Sequence, residues 1–214
     1  MIDASLSVPT PPAVIQRADY RPPAWLVPEI ALDFDLGIER TQVTARLSLR
    51  RNADASGSEP IRLNGDGIEP LSVLLDGAPA PGWAMEGADL VIPCAADSVS
   101  LEIVTQVDPA ANSQLMGLYA SNGMLCTQCE AEGFRRIMFF PDRPDVLSVY
   151  RVRMTGDRAL FPVLLSNGNC VASGEDADGR HWAEWHDPWP KPSYLFALVA
   201  GDLVGTSGNF TAMG

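Results

Sequence analysis

Histidine is almost missing from this chain: only His181 and His186 occur in 214 residues. A metalloprotease helix of the HExxH type places two histidines at i and i+4, with a glutamate directly after the first. In HWAEWH the separation is five, and on the strand that its alternation implies, an odd separation sends the two rings to opposite faces. His181 and His186 therefore make no zinc pair, and the chain contains no HExxH. The four cysteines also lack the spacing of a four-ligand zinc site. Cys94 and Cys170 stand alone without a neighbouring His or Cys, and are expected as small buried thiols. Cys126 and Cys129 make a single CxxC, which could be a redox pair or half of a zinc site. Four unpatterned cysteines fit a reducing compartment, so a cytoplasmic location is expected.

Basic residues are few as well, 15 against 27 acidic ones, for a formal net charge of -12. That balance argues against a nucleic-acid or anionic-membrane surface and suits cationic ligands. Long apolar runs are absent: no uncharged apolar run reaches 18 residues, and MIDASLSVPTPP has neither a basic n-region nor an apolar core. Neither a membrane span nor a signal peptide is expected.

What is present is alternation. Ile30, Leu32, Phe34 and Leu36 fall on one face of a strand; Val43, Ala45, Leu47 and Leu49 fall on one face of the next, with a turn over Gly37 to Thr41. Short strands are expected around Ile61 to Leu63, Leu71 to Leu75, Leu90 to Ile92 and Val99 to Val104, separated by Gly, Pro, Asn and Asp clusters. Tyr150, Val152 and Met154 face one way, with Arg151 and Arg153 on the other side. Ser166 to Asn169 signals a tight turn, and Tyr194 to Val199 reads as a strand buried on both faces. With 18 prolines and 18 glycines as punctuation and no helical stripe, the pattern predicts an all-β, mostly antiparallel domain. It divides into an N-terminal arm over 1–19, the β domain over 20–204 and a tail over 205–214.

Chemistry concentrates in Gly117 to Tyr150, where the alternation fails and an irregular loop is expected. Glu130 and Glu132 lie two apart, so an extended backbone would point both carboxylates to one face, to repel or to share a cation such as an amine. A plain solvated acidic face is the simpler reading. Trp182 and Trp185 fall on opposite faces and Trp189 sits between prolines, which favours packing over an aromatic sugar platform.

LCTQCEAEGFRRI followed by FFPDRPDVLSVY resembles the N-terminal domain of bacterial aminopeptidase N, a zinc-dependent peptidase family of the gluzincin class. YRPPAWLVPEIALDFDL, LNGDGI, FPVLLSNGN and HDPWPKPSYLFALVAGDL resemble the same domain in the same order, from about Tyr20 to Asp202. The resemblance implies a large saddle-like or sandwich β domain with few short helices. It implies that Glu130 reaches across to bind the α-ammonium of a peptide substrate, and that Gln128 lines the pocket for the first side chain. Catalytic residues and zinc ligands would then lie in a catalytic domain that is not in this chain, so the domain alone is expected to be monomeric, metal-free and inactive. Glu132, Arg135, Arg136 and Asp142 are expected as ion pairs that hold the loop, with Pro141 and Pro144 fixing its exit.

Three readings follow: the substrate-anchoring domain of a zinc aminopeptidase; a stand-alone, non-catalytic β module binding protein or carbohydrate through its tryptophans; and a thiol redox protein using Cys126 and Cys129. The β pattern disfavours the third, since thioredoxin-type CxxC motifs open a helix in a βαβ context.

Overall fold

The computed structural model describes residues 16–55 and 59–211; most of the expected N-terminal arm lies outside the described residues. Fifteen strands occur among them: β1 (Trp25–Asp35), β2 (Thr41–Arg51), β3 (Ile61–Leu63), β4 (Pro70–Leu75), β5 (Ala78–Pro79), β6 (Ala84–Glu86), β7 (Asp89–Ile92) and β8 (Ser98–Val107), then β9 (Gly117–Ser121), β10 (Met124–Gln128), β11 (Ser148–Asp157), β12 (Val163–Ser166), β13 (Asn169–Glu175), β14 (Arg180–Lys191) and β15 (Leu198–Gly201). The helical content described is three short 3-10 turns, Arg17–Asp19, Phe134–Arg136 and Ser193–Leu195. The chain is all-β.

Eight strands form the main sheet in the order β13-β14-β11-β1-β2-β8-β4-β5. Period-two patterning sets the register: Ile30 pairs with Leu47, Leu32 with Ala45 and Phe34 with Val43, so the apolar members of both strands share one face. β8 continues that face, with Leu47 beside Leu101 and Ala45 beside Ile103. On the other flank β1 pairs with β11 in parallel, setting Ile30 beside Tyr150 and Phe34 beside Met154. This is the parallel exception in an otherwise antiparallel ladder set. Two smaller sheets, β12-β15-β10-β9 and β3-β7-β6, share the same hydrophobic core through Leu125, Leu164, Leu198, Ala200, Ile61, Leu63 and Leu90.

The opposite face of the main sheet is charged. Arg46 contacts Asp33 and Glu102 at 2.5 and 2.7 Å, and Arg153 contacts Glu184 at 2.5 Å while lying 3.9 Å from the Trp182 ring centroid. These side chains are about a third to a half exposed, which limits each pair to a small stabilising effect.

Several expectations are corrected. Tyr194 to Val199 is not one buried strand: Ser193–Leu195 forms a 3-10 turn and leaves Leu195 exposed, and β15 begins only at Leu198. An apolar run carries no period, and Pro192 directly follows Lys191, the last ladder residue of the preceding strand. The turn over Ser166 to Asn169 exists, but it joins β12 of one sheet to β13 of another instead of closing a hairpin. Gly168 takes φ +83° there, and a Cβ would sit 2.3 Å from the His186 carbonyl oxygen. Cys170 is exposed on edge strand β13, and Cys94 is half-buried, against the expectation for both. Within the central stretch the first half is not irregular: Gly117 to Gln128 is the β9-β10 hairpin, turned at Asn122-Gly123.

Candidate functional site

β10 delivers Gln128 to the end of the hairpin, where it pairs with Gly117 at the last rung. The chain then turns sharply. The Gly133 amide donates to the Cys129 carbonyl at 2.8 Å, and residues 129–133 form a closed loop. Gly133 is required by contact, since a Cβ would meet the Gln128 carbonyl oxygen at 2.3 Å and both Cys129 Cα and Gly117 N at 3.0 Å. Glu130 and Glu132 therefore lie on a turn, not an extended strand, and their two-residue spacing no longer gives them a common face. The peptide joining Glu130 to Ala131 is cis.

The two acids then part company. Glu132 is held by Arg135 at 3.2 Å. Among the described residues nothing pairs with the exposed Glu130 carboxylate. Beside it the Gln128 side-chain amide donates to the Glu130 carbonyl oxygen at 3.2 Å, which ties the two expected substrate-contacting residues together.

Below the turn the environment is dry. Cys129, Phe134, Ile137, Met138, Phe139 and Phe140 are all buried. Phe134 meets Phe140 and Phe196 edge-on at centroid distances of 5.2 Å each, and Tyr150 at 6.2 Å. Edge-to-face packing of this kind adds to the area already buried. Thr127 joins the turn's base to β15, accepting from Leu198 N at 2.8 Å and donating to Leu198 O at 3.3 Å.

Asp142, expected as part of an ion pair, is a deeper feature than that. Its side chain is 1% exposed, and Oδ2 accepts from Arg135 N at 3.2 Å and Arg135 Nε at 3.0 Å. Ser193 Oγ donates to its Oδ1, and its own amide donates to Asn64 Oδ1 at 3.1 Å. Arg136 pairs instead with Asp66. The partners Asn64 and Ser193 escaped sequence reasoning: Asn64 reads as a turn residue in LNGDG, and nothing in the spacing announces a contact 78 or 51 positions away. Pro141 and Asp145 complete the exit, with Asp145 held by Arg143 and by the Tyr20 hydroxyl at 3.0 Å.

Burial pushes the Cys129 thiol well up, with a smaller push from the charge of Asp142, and burial also raises Cys126. A thiol that resists ionisation is a poor nucleophile, and all four cysteines are free, so the CxxC has none of the electrostatics of a redox pair. The tryptophans form no platform either: Trp182 lies beneath Arg153 and against Gly174, and Trp185 faces the opposite side of β14. His181 and His186 are on opposite faces, and His181 Nε2 lies 2.6 Å from the Phe161 carbonyl oxygen. Among the described residues no three His, Cys, Asp or Glu side chains gather to hold a metal. The residues here do not fit a zinc centre.

A cleft of about 390 Å³ lined by Asp66, Gln106, Asn112 and Arg136 lies beside the hairpin but does not include Glu130. What the site offers chemically is one unpaired carboxylate and one amide on a tightly braced turn. That combination takes a cation by charge-assisted hydrogen bonding.

Comparison with known proteins bears on the family and the fold. Residues 90–195 match the model of the peptidase M1 N-terminal domain. The chain is 50% identical over 204 residues to aminopeptidase N of Caulobacter vibrioides and 46% identical over 200 residues to that of Escherichia coli K12, with 94% of this chain covered in each case. It spans 23% of the length of either relative. Among solved structures, Legionella pneumophila aminopeptidase A in complex with aspartic acid superposes with a TM-score of 0.82 at 31% identity, over 87% of this chain and 22% of that one. A variant M1 zinc metallopeptidase from Deinococcus radiodurans bound to a Tyr-Ser-Ala substrate gives 0.70 at 16% identity, over 83% and 42%, and supports the fold alone. The chain belongs to the M1 peptidase family, as the N-terminal domain of the aminopeptidase N type.

Proposed function

We propose that this domain anchors the N-terminus of a peptide substrate in a zinc-dependent aminopeptidase, with Glu130 binding the α-ammonium and Gln128 lining the pocket for the first side chain. The observation that carries the reading is the Glu130 carboxylate: exposed, unpaired among the described residues, and mounted on a turn whose base is packed and hydrogen-bonded. Neighbouring Glu132 and Asp142 are engaged by Arg135, whereas Glu130 beside them has no ion-pair partner among the described residues. A carboxylate favours a free ammonium and disfavours a blocked, neutral terminus, which lets an exopeptidase count one residue from the end.

Zinc chemistry would come from the part of the enzyme outside this chain, since the residues described here fit no metal centre. On this reading the domain alone binds no stoichiometric zinc and is a monomer. Its free cysteines suit a reducing, cytoplasmic setting.

The test is Glu130→Gln in the full-length enzyme, which keeps shape and hydrogen bonding and removes the charge. Loss of a desolvated charged hydrogen bond predicts a cost of about 2–4 kcal/mol in kcat/KM for amino-acid anilides. Gln128→Ala serves as the control and should reorder preference among first side chains while the need for a free amine persists. A kcat/KM for Glu130→Gln within about twofold of the parent defeats the anchoring reading.

A further inference from the structure

We propose that Asp142 is a positioning residue for the same recognition site: it fixes the turn that carries Glu130 by binding Arg135 through three contacts and locking it to Asn64 and Ser193. The inference rests on the amine-anchoring reading. Its physical basis is separate.

Arg135 follows the turn directly, two residues after the Gly133 that closes it. Asp142 holds Arg135 by both backbone and side chain: Oδ2 takes Arg135 N and Nε, and the Asp142 carbonyl oxygen takes Arg135 Nη2 at 2.9 Å. An arginine bound in this fork-like way is fixed in orientation as well as in distance. Through Ser193, Asp142 joins the 3-10 turn that leads into β15, and through Asn64 it joins the loop after β3. Asn64 in turn exchanges backbone hydrogen bonds with Phe140, and its side chain donates to Asp89 at 3.1 Å.

A buried carboxylate is costly unless its oxygens are filled. Here they are filled by donors from two separate stretches of chain, and the acid's own amide reaches a third. Asp142 is a buried junction for segments that also flank the Glu130 turn through Asp66 N to Arg135 O and through Thr127 to Leu198, and Cys129, the residue preceding Glu130, lies close enough to feel its charge. Surface pairs such as Arg46 with Asp33 have no such geometry and no such reach. Because catalytic efficiency is sensitive to a misplacement of about 1 Å, a junction this close to the anchor acts on substrate binding through Glu130.

The experiment is a double-mutant cycle in the full-length enzyme, reading kcat and KM for a free-amine amino-acid anilide. Asp142→Asn keeps the shape and one acceptor oxygen but loses the charge opposite Arg135. It should lower kcat/KM about tenfold or more, chiefly through KM. In a Glu130→Gln background the same change should cost less than about threefold, because the group being positioned is already disabled. An equal fold-loss in both backgrounds, or a loss below about threefold with Glu130 intact, overturns the inference and leaves Asp142 as scaffold. Should Glu130→Gln itself have no effect, the anchoring reading falls, and this inference falls with it. If Asp142→Asn does not fold, Ser193→Ala, which removes one donor and keeps the Arg135 clamp, runs through the same cycle under the same criterion of non-additivity.

Discussion

Replacing Gly133 by alanine tests how tightly the Glu130 turn is built. The backbone at Gly133 has φ -82° and ψ -18°, an ordinary right-handed conformation, so alanine suffers no dihedral strain. Alanine even gains about 0.4–1 kcal/mol from its smaller unfolded-state freedom. Opposing this is the new methyl, placed 2.3 Å from the Gln128 carbonyl oxygen and 3.0 Å from both Cys129 Cα and Gly117 N. All three atoms are backbone, so no rotamer change relieves the overlap. Overpacking costs about 1–3 kcal/mol, and the upper end applies where the neighbours cannot rotate away. Opening the turn also breaks the bond from Gly133 N to Cys129 O, worth about 1 kcal/mol. The net is a destabilisation of about 3 kcal/mol, which for a domain of this size lowers Tm by about 6–12 °C. Thermal unfolding of the domain followed by tryptophan fluorescence measures it. Gly123→Ala in the same hairpin is the control: its φ of +80° penalises a side chain, but nothing lies within 4 Å of the added methyl, so about 1–2 kcal/mol is expected. A Gly133→Ala Tm within 2 °C of the parent, or one higher than that of Gly123→Ala, would refute the steric reasoning.

Phe134→Ala should cost about 3–5 kcal/mol in urea unfolding, since it empties a fully buried site shared with Phe140, Tyr150 and Phe196; a loss below about 1.5 kcal/mol would mean that the aromatic cluster collapses to fill the gap. With a thiol reagent under native conditions, Cys170 should react first and Cys129 only on unfolding, and stability should fall above about pH 9. The sign follows from the raised Cys129 thiol: the unfolded chain ionises near its ordinary value of 9.0 while the fold keeps the proton, so stability is full below that pH and is lost as pH rises toward the folded value. Cys129→Ala should flatten part of that slope, and an unchanged slope would count against the assignment.

Much of the main sheet was legible because its strands are buried on one face only. Ile30 to Phe34, Val43 to Leu49 and Tyr150 to Met154 declare their inner face by period two, and the structure pairs them in that register. Where burial is two-sided or local the signal vanishes. Tyr194 to Leu198 is apolar throughout, yet its first residues turn as a 3-10 segment, a choice made by packing of Phe196 against Phe34 and Phe134. The β9-β10 hairpin was hidden because only Leu118 and Leu125 among its apolar residues are fully buried, which blurs the alternation. At the site, Glu130 and Gln128 were named by resemblance, and Arg135 and Asp142 by charge. That Asp142 is buried could not be read from DRPD, because its burial is created by Asn64 and Ser193 from remote parts of the chain.

The parallel pairing of β1 with β11 has a consequence during synthesis. β1 obtains one neighbour almost at once, through the short turn to β2, but its other edge stays open until β11 emerges. Val27 and Ser148, whose hydrogen bond lies at the start of that pairing, are 121 residues apart. At about 5–20 residues per second the ribosome takes about 6–24 s to cover that distance. Throughout that interval Ile30, Leu32 and Phe34 lie on a half-finished sheet with an unpaired edge, the form of nascent chain most prone to recruit another strand. The charged outer face, with Asp33 and Asp35 alternating along the same strand, places two like charges on any second copy of β1 that docks there in register. The alternation that writes the inner face of this strand therefore also guards its edge until the correct partner arrives.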